Sequence, residues 1–196
     1  VITDYTSLKA AIADFSHRSD LTNYLDDFIQ LAEERISSVL KVSEMEASET
    51  GTLSSITLAL PADFADLRSL TITDTYKHCP LYLGADGISS KYDPTSGMPN
   101  YYAIIGSNIQ FNRPPNAYTY KLDYWQNPPA ITNTNTTSTV LTNYTGVYLY
   151  GCLVEVAWYT KNDADIQRYT TKFNELVDIS NKRGRAQGGP MRIVNG

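Results

Sequence analysis

Histidine and cysteine are scarce in this chain of 196 residues, with two of each. So few imidazoles leave little room for histidine-based catalysis or metal binding. Cys79 and Cys152 lie far apart, form no Cys-x-x-Cys pair and have no histidine at metal-binding spacing. They are expected to be free thiols of a protein made in a reducing compartment. No apolar run approaches the ~18 residues of a membrane span, and no basic-then-apolar signal sequence opens the chain. Also missing are a Gly-x-Ser-x-Gly elbow, a phosphate-binding glycine loop, a dinucleotide fingerprint and a His-Glu-x-x-His helix. Phenylalanine and tryptophan are few, at 5 and 2, whereas tyrosine is abundant at 15. A chemistry carried by surfaces is therefore expected, rather than one carried by an active site.

Charge is also unevenly placed. The net charge is -5, the wrong sign for a general nucleic-acid binder. Yet Lys182, Arg183, Arg185 and Arg192 all fall after residue 181, where no acidic residue occurs. This leaves 12 basic against 21 acidic residues in 1–181. An acidic body thus carries a short basic tail.

Periodicity divides the chain into zones. Leu8, Ala11, Ile12 and Phe15 have helical spacing, with Asp4 or Thr6 as the cap. From Leu21 through Phe28, Ile29, Ala32 and Ile36 to Leu40, spacings of three and four predict one long amphipathic helix of about 20–25 residues. Residues 51–130 change to a period of two. Strands are predicted over 52–60, 67–73, 81–83 and 118–124, with a hairpin joining 101–105 to 109–111. Thr/Asn-rich residues 131–139 have no apolar period and are expected to form a mobile loop. A mostly buried helix is predicted over 147–159. A second should start at Asn162-Asp163 and end at Gly184. Gly188-Gly189-Pro190 then makes 185–196 an extended arm.

The predicted fold is α+β. Segments 1–50 and 140–184 form a helical bundle, and 51–130 is an antiparallel β insertion, either a sandwich or a small barrel.

Few residues offer chemistry. His78 and Cys79 are adjacent, but neighbouring side chains rarely align for proton transfer, and no third orienting group is evident. His17 is placed to meet carbonyls at a helix end. Glu44, Glu46 and Glu49, like Asp163 and Asp165, suit solvated helix ends, and Asp86 and Asp93 lack calcium-loop spacing. No catalytic, cofactor or metal residue is assigned. The tyrosines of the β zone, among them Tyr101, Tyr102, Tyr118, Tyr120 and Tyr124, admit three readings: sheet core, a sugar-stacking platform, or a protein interface.

The ordered motifs add more. Tyr5 to Phe15 followed by His17-Arg18-Ser19-Asp20-Leu21, then Phe28 to Ile36, resembles the opening of the tailed-bacteriophage adaptor family. Leu60-Pro61-Ala62-Asp63-Phe64-Ala65-Asp66-Leu67-Arg68-Ser69-Leu70 is the most specific stretch. Gly97 to Ile104, Tyr148-Leu149-Tyr150-Gly151 and Gly188-Gly189-Pro190-Met191-Arg192 are similar too. Residues 131–139 match nothing in that pattern.

The resemblance implies a structural virion protein made in the bacterial host cytoplasm. It implies a homo-oligomeric ring, typically of twelve copies, that sits beneath the capsid portal and joins it to the tail nozzle and fibres. DNA would pass through the ring without specific binding, and no membrane, cofactor or enzymatic activity is involved. The basic arm, with Lys182, Arg183, Arg185, Pro190, Met191, Arg192, Ile193 and Val194, is expected to dock on the portal. Tyr101, Tyr102, Tyr118, Tyr120 and Tyr124 are the expected contacts with neighbouring copies, nozzle or fibres. The competing readings are a tyrosine-rich carbohydrate-binding β module of a phage tail and a tail-associated hydrolase.

Overall fold

The computed structural model describes residues 1–187, with side chains through Gly184. The chain divides into two compact units. One comprises residues 1–45 and the chain from Asn127 onward, and the other Glu46–Gln126.

The first unit is helical. Helix α1 (Tyr5–Ser16) begins at a capping box. Asp4 Oδ1 accepts the Ser7 N–H at 2.8 Å, and Ser7 Oγ accepts the Asp4 N–H at 2.9 Å. It ends at His17, whose backbone is left-handed (φ 53°) and whose N–H reaches the carbonyls of Ala13 and Asp14. His17 therefore closes the helix through its backbone.

Helix α2 (Leu25–Val39) spans 15 residues, shorter than its periodicity predicts, after a 3-10 turn at Thr22–Tyr24. It buries Leu25, Phe28, Ile29, Ala32 and Ile36. The apolar spacing runs on because Leu21 before the helix and Leu40 after it are buried as well. Residues 131–139 are tethered: the Tyr5 N–H donates to Thr136 O at 2.8 Å, and the Ile131 N–H donates to Glu33 at 2.8 Å. A short helix α4 (Thr139–Asn143), capped by Ser138, follows. Helix α5 (Thr145–Tyr159) is apolar on almost every side and packs against α1, α2, α4 and α6 (Asp163–Gln187), making it the centre of the unit.

Helix α6 corrects one expectation. It does not stop at Gly184 but continues to Gln187, so Lys182, Arg183 and the backbone of Arg185 belong to a helix rather than to an extended arm. Gly184 is there for clearance. A Cβ at this position would lie 3.2 Å from the Val42 Cα and 3.3 Å from the Lys41 carbonyl oxygen. Just before it, Asn181 accepts the Lys41 N–H at 2.7 Å and donates to the Val39 carbonyl at 3.0 Å. That side chain satisfies backbone groups left over where α2 ends. The remaining arm residues, Pro190, Met191, Arg192, Ile193 and Val194, lie outside the described residues.

The second unit is built from two four-stranded sheets. The first has order β1 (Glu46–Leu53), β8 (Tyr118–Gln126), β3 (Phe64–Thr73), β4 (Lys77–His78). The second has order β2 (Thr57–Ala59), β7 (Asn108–Phe111), β6 (Tyr101–Ile105), β5 (Leu81–Tyr82). All pairings are antiparallel except β5 with β6. A short helix α3 (Ala85–Ser90) links β5 to the loop before β6.

Residues 52–60, predicted as one strand, are split between the sheets, and β1 begins at Glu46. Glu46 and Glu49 therefore lie on a strand rather than a helix end. Leu70, Ile72, Tyr120 and Leu122 from one sheet and Tyr102, Ile109 and Phe111 from the other share one buried cluster. The sheets stay open, so the unit is not a closed barrel. The α+β class holds, with 44% helix and 23% strand.

Candidate functional site

No group of three or more potential metal ligands and no helix able to cross a membrane occurs among the described residues. The His78 side chain is half-buried with its Nε2 lacking a hydrogen-bond partner, while Cys79 is exposed with its Sγ 3.9 Å from Thr71 Oγ1. Neither geometry activates a thiol. Burial pushes the Cys152 thiol far up, as for an inert core cysteine. What the molecule offers is surfaces.

Burial divides the tyrosines of the second unit. Tyr102, Tyr120 and Tyr124 are buried, at 8%, 5% and 6% exposure. This corrects the expectation that they contact partners: their rings are committed to the sheet core. Two of the hydroxyls end on carboxylates, Tyr120 donating to Glu49 at 2.5 Å and Tyr124 to Asp63 at 3.0 Å. Burial, reinforced by Glu49, pushes Tyr120 up to about 12. Tyr101 and Tyr118 are half-buried. The exposed rings are those of Tyr76, Tyr82 and Tyr92, at 82%, 58% and 55%, and Leu81 beside Tyr82 is exposed as well. Tyr82 packs edge-on against Tyr102 at 5.5 Å. Strict alternation in β8 identified the inward face correctly, but alternation alone does not say whether a face meets a core or a partner.

Loop positions in this unit are fixed by Asn112, 3% exposed. Its side-chain oxygen accepts the Asn100 and Tyr101 N–H groups at 3.0 and 3.1 Å, and its amide reaches the Lys91 carbonyl at 3.4 Å. Arg113 pairs with Asp93 beside it. Nothing in the sequence pattern singled out Asn112, because a buried asparagine reads as an ordinary loop residue.

In the helical unit three surfaces stand out. Lys182 and Arg183 are exposed on the last turns of α6. Arg183 lines a groove of about 290 Å³ with Tyr144, Thr145, Leu176 and Ile179. At another end, Phe15, Tyr24, Trp158 and Tyr159 are exposed, with the Tyr24 and Tyr159 rings 5.2 Å apart.

The third is an acidic cleft of about 450 Å³ between Tyr5, Asp26, Asp27, Gln30 and Glu33 on one side and Ala130–Asn133 on the other. Asp26 accepts hydrogen bonds from the Tyr5 hydroxyl and from Lys9 Nζ, which hold its carboxyl below the usual range. Glu33 moves the other way. Burial raises it to about 6, against the opposing effects of the Ile131 N–H and the Tyr148 hydroxyl. That hydroxyl is fully buried and makes no hydrogen bond of normal geometry, although it lies near enough to Glu33 to act on it.

The two units carry patterned surfaces, and no catalytic constellation occurs among the described residues. The comparison with family models is specific: the model for the SU10 adaptor protein matches residues 3–194. The chain belongs to the SU10 adaptor protein family, an adaptor family of tailed bacteriophages, and is a structural component of the virion. No curated protein matches the chain significantly.

Proposed function

We propose that copies of this chain assemble into a ring beneath the capsid portal, and that the ring joins the portal to the tail nozzle and fibres as a scaffold without enzymatic activity. Twelve copies are proposed, as the resemblance implies. The observation that carries this reading is the match of a phage adaptor family over nearly the whole chain, through both units and into the basic tail.

Charge supports a division of roles. The basic end of α6 and the residues after it are the docking arm for the portal, and the acidic body faces passing DNA. Phosphate contacts dominate DNA affinity, so an acidic wall lets the genome slide without sticking. The exposed Tyr76, Tyr82 and Tyr92 replace the buried tyrosines as contacts with nozzle or fibres.

Electron microscopy of the purified chain mixed with its portal tests the reading. A ring with a central channel seated on the portal is expected. Monomers that leave the portal bare, at concentrations far above those in an infected cell, would overturn it.

A further inference from the structure

The acidic cleft of the helical unit contains a half-buried carboxylate without a counter-cation, that of Glu33. Glu33 Oε1 accepts the Ile131 N–H at 2.8 Å, which is a neutral donor. Among the described residues, no lysine, arginine or histidine lies within ion-pair distance of it. Lys9 is held elsewhere, by Asp26 at 2.9 Å. Asp27 lines the same cleft, and its carboxylate makes no hydrogen bond or ion pair among the described residues. Carboxylates withdrawn from water are normally paired with a cation. Glu33 lacks that partner, and burial raises its carboxyl to about 6.

A second group points to the same place. Tyr148 of α5 is 0% exposed, and its hydroxyl is buried without a hydrogen-bond partner. That hydroxyl faces the Glu33 carboxyl, which lines the cleft. A phenol oxygen left unpaired at such depth is costly until a donor reaches it. The opposite wall is preformed. The Asn135 side-chain amide donates to the Ala130 carbonyl at 2.7 Å, and the Thr132 N–H donates to the Asn135 carbonyl at 2.9 Å. Residues 130–135 thus hold their own turn and leave the opening of about 450 Å³.

We propose that this cleft binds an organic cation, a primary ammonium or guanidinium group, seated against Glu33 and the Tyr148 hydroxyl with the exposed Asp27 at the mouth. Such a group carries several N–H donors on one charge, so a single ligand serves the carboxylate and the phenol oxygen together. A metal ion fits less well, because no group of three or more metal ligands occurs among the described residues. The site lies within the helical unit and does not depend on ring assembly.

The test is an NMR titration of the full chain at neutral pH with n-butylammonium and with butylguanidinium, beside 1-butanol and sodium chloride at the same concentrations. Either cation is expected to shift the Ile131 amide and the Tyr148 ring signals, and neither control should. Glu33→Gln should weaken binding about tenfold, the size of a charge-assisted hydrogen bond, and Tyr148→Phe about threefold. Glu33→Gln removes a buried charge, so its loss of binding is not a loss of fold, which its melting curve checks. The acetylated and amidated peptide Gly-Gly-Lys-Gly-Gly identifies the source of the cation. Tighter binding than n-butylammonium assigns the site to a lysine of another polypeptide, and equal or weaker binding assigns it to a free amine. No shift with either cation up to about 50 mM, an equal response to sodium chloride or butanol, or unchanged affinity in Glu33→Gln overturns the proposal.

Discussion

Gly184 of α6 lies against the backbone of Val42, close enough that a Cβ would come within 3.2 Å of the Val42 Cα. A flexible side chain can yield at such a distance, but main chain held by Asn181 on either side of position 40 has little freedom to do so. Gly184→Val is expected to destabilise the helical unit by about 1–3 kcal/mol through overpacking. Because a larger residue also favours helix over glycine by up to about 1 kcal/mol, Gly184→Ala should be nearly neutral. Urea unfolding midpoints of the two variants separate the effects. Equal midpoints would mean that the glycine serves no clearance.

Glu33 predicts a pH dependence with a definite sign. Its carboxyl titrates near 6 in the folded chain against 4.5 as a free side chain. The folded state therefore binds the extra proton in that window. Glu33 lowers stability as the pH rises from about 4.5 through 6, by at most about 2 kcal/mol. Glu33→Gln keeps an oxygen for the Ile131 N–H and removes the charge. It should raise the melting temperature at pH 7.5 and change little at pH 4.5. Thermal melts at both values check this, and an equal shift at both would contradict it.

The two sets of tyrosines should respond differently. Tyr120→Ala empties part of the sheet core and is expected to cost about 3–5 kcal/mol. Tyr120→Phe loses only the bond to Glu49, about 1 kcal/mol. Tyr82→Ala and Tyr92→Ala should leave the unfolding midpoint within about 0.5 kcal/mol of the parent and instead reduce incorporation into tails. Tail-assembly yield measured beside stability distinguishes a surface role from a core role.

Asn112→Ala removes the acceptor for two backbone N–H groups near a buried position. About 2 kcal/mol of stability should be lost, with the 91–101 loop exchanging its amides faster. Asn112→Asp keeps the acceptors and should recover part of the loss. Hydrogen exchange of the Asn100 and Tyr101 amides reports it directly.

Truncation after Gln187 removes the residues beyond α6 while keeping its described length. The shortened chain should retain its helical and β signatures by circular dichroism and lose co-sedimentation with the portal. Undiminished co-sedimentation would move the docking site elsewhere.

Much of the helical unit is legible in residue spacing. Leu8 and Ile12, Phe28 to Ile36, and Tyr169 with Phe173 and Val177 fall on buried faces as their periods imply. The misreadings have specific physical causes. Apolar spacing carried the second helix too far at both ends because Leu21 and Leu40 are buried outside the α-helix. Gly184 looked like a stop because a glycine that ends a helix and one that makes room for a neighbouring backbone are the same letter. The alternating tyrosines of β8 disclosed a face but not what covers it. The β1 edge was not visible, since which strand lies outermost depends on pairings between residues far apart in sequence.

Strand β1 opens the β unit and β8 closes it, and the two are neighbours, with Glu46 opposite Trp125. The chain thus leaves the helices and comes back at points about 5 Å apart. A segment whose ends meet so closely can be exchanged as a cassette. A linker of a few residues could close the helical frame after its removal, and a foreign module with adjacent termini could take its place. Swapping 46–126 between family members would then exchange the whole β unit while leaving the helical unit unchanged.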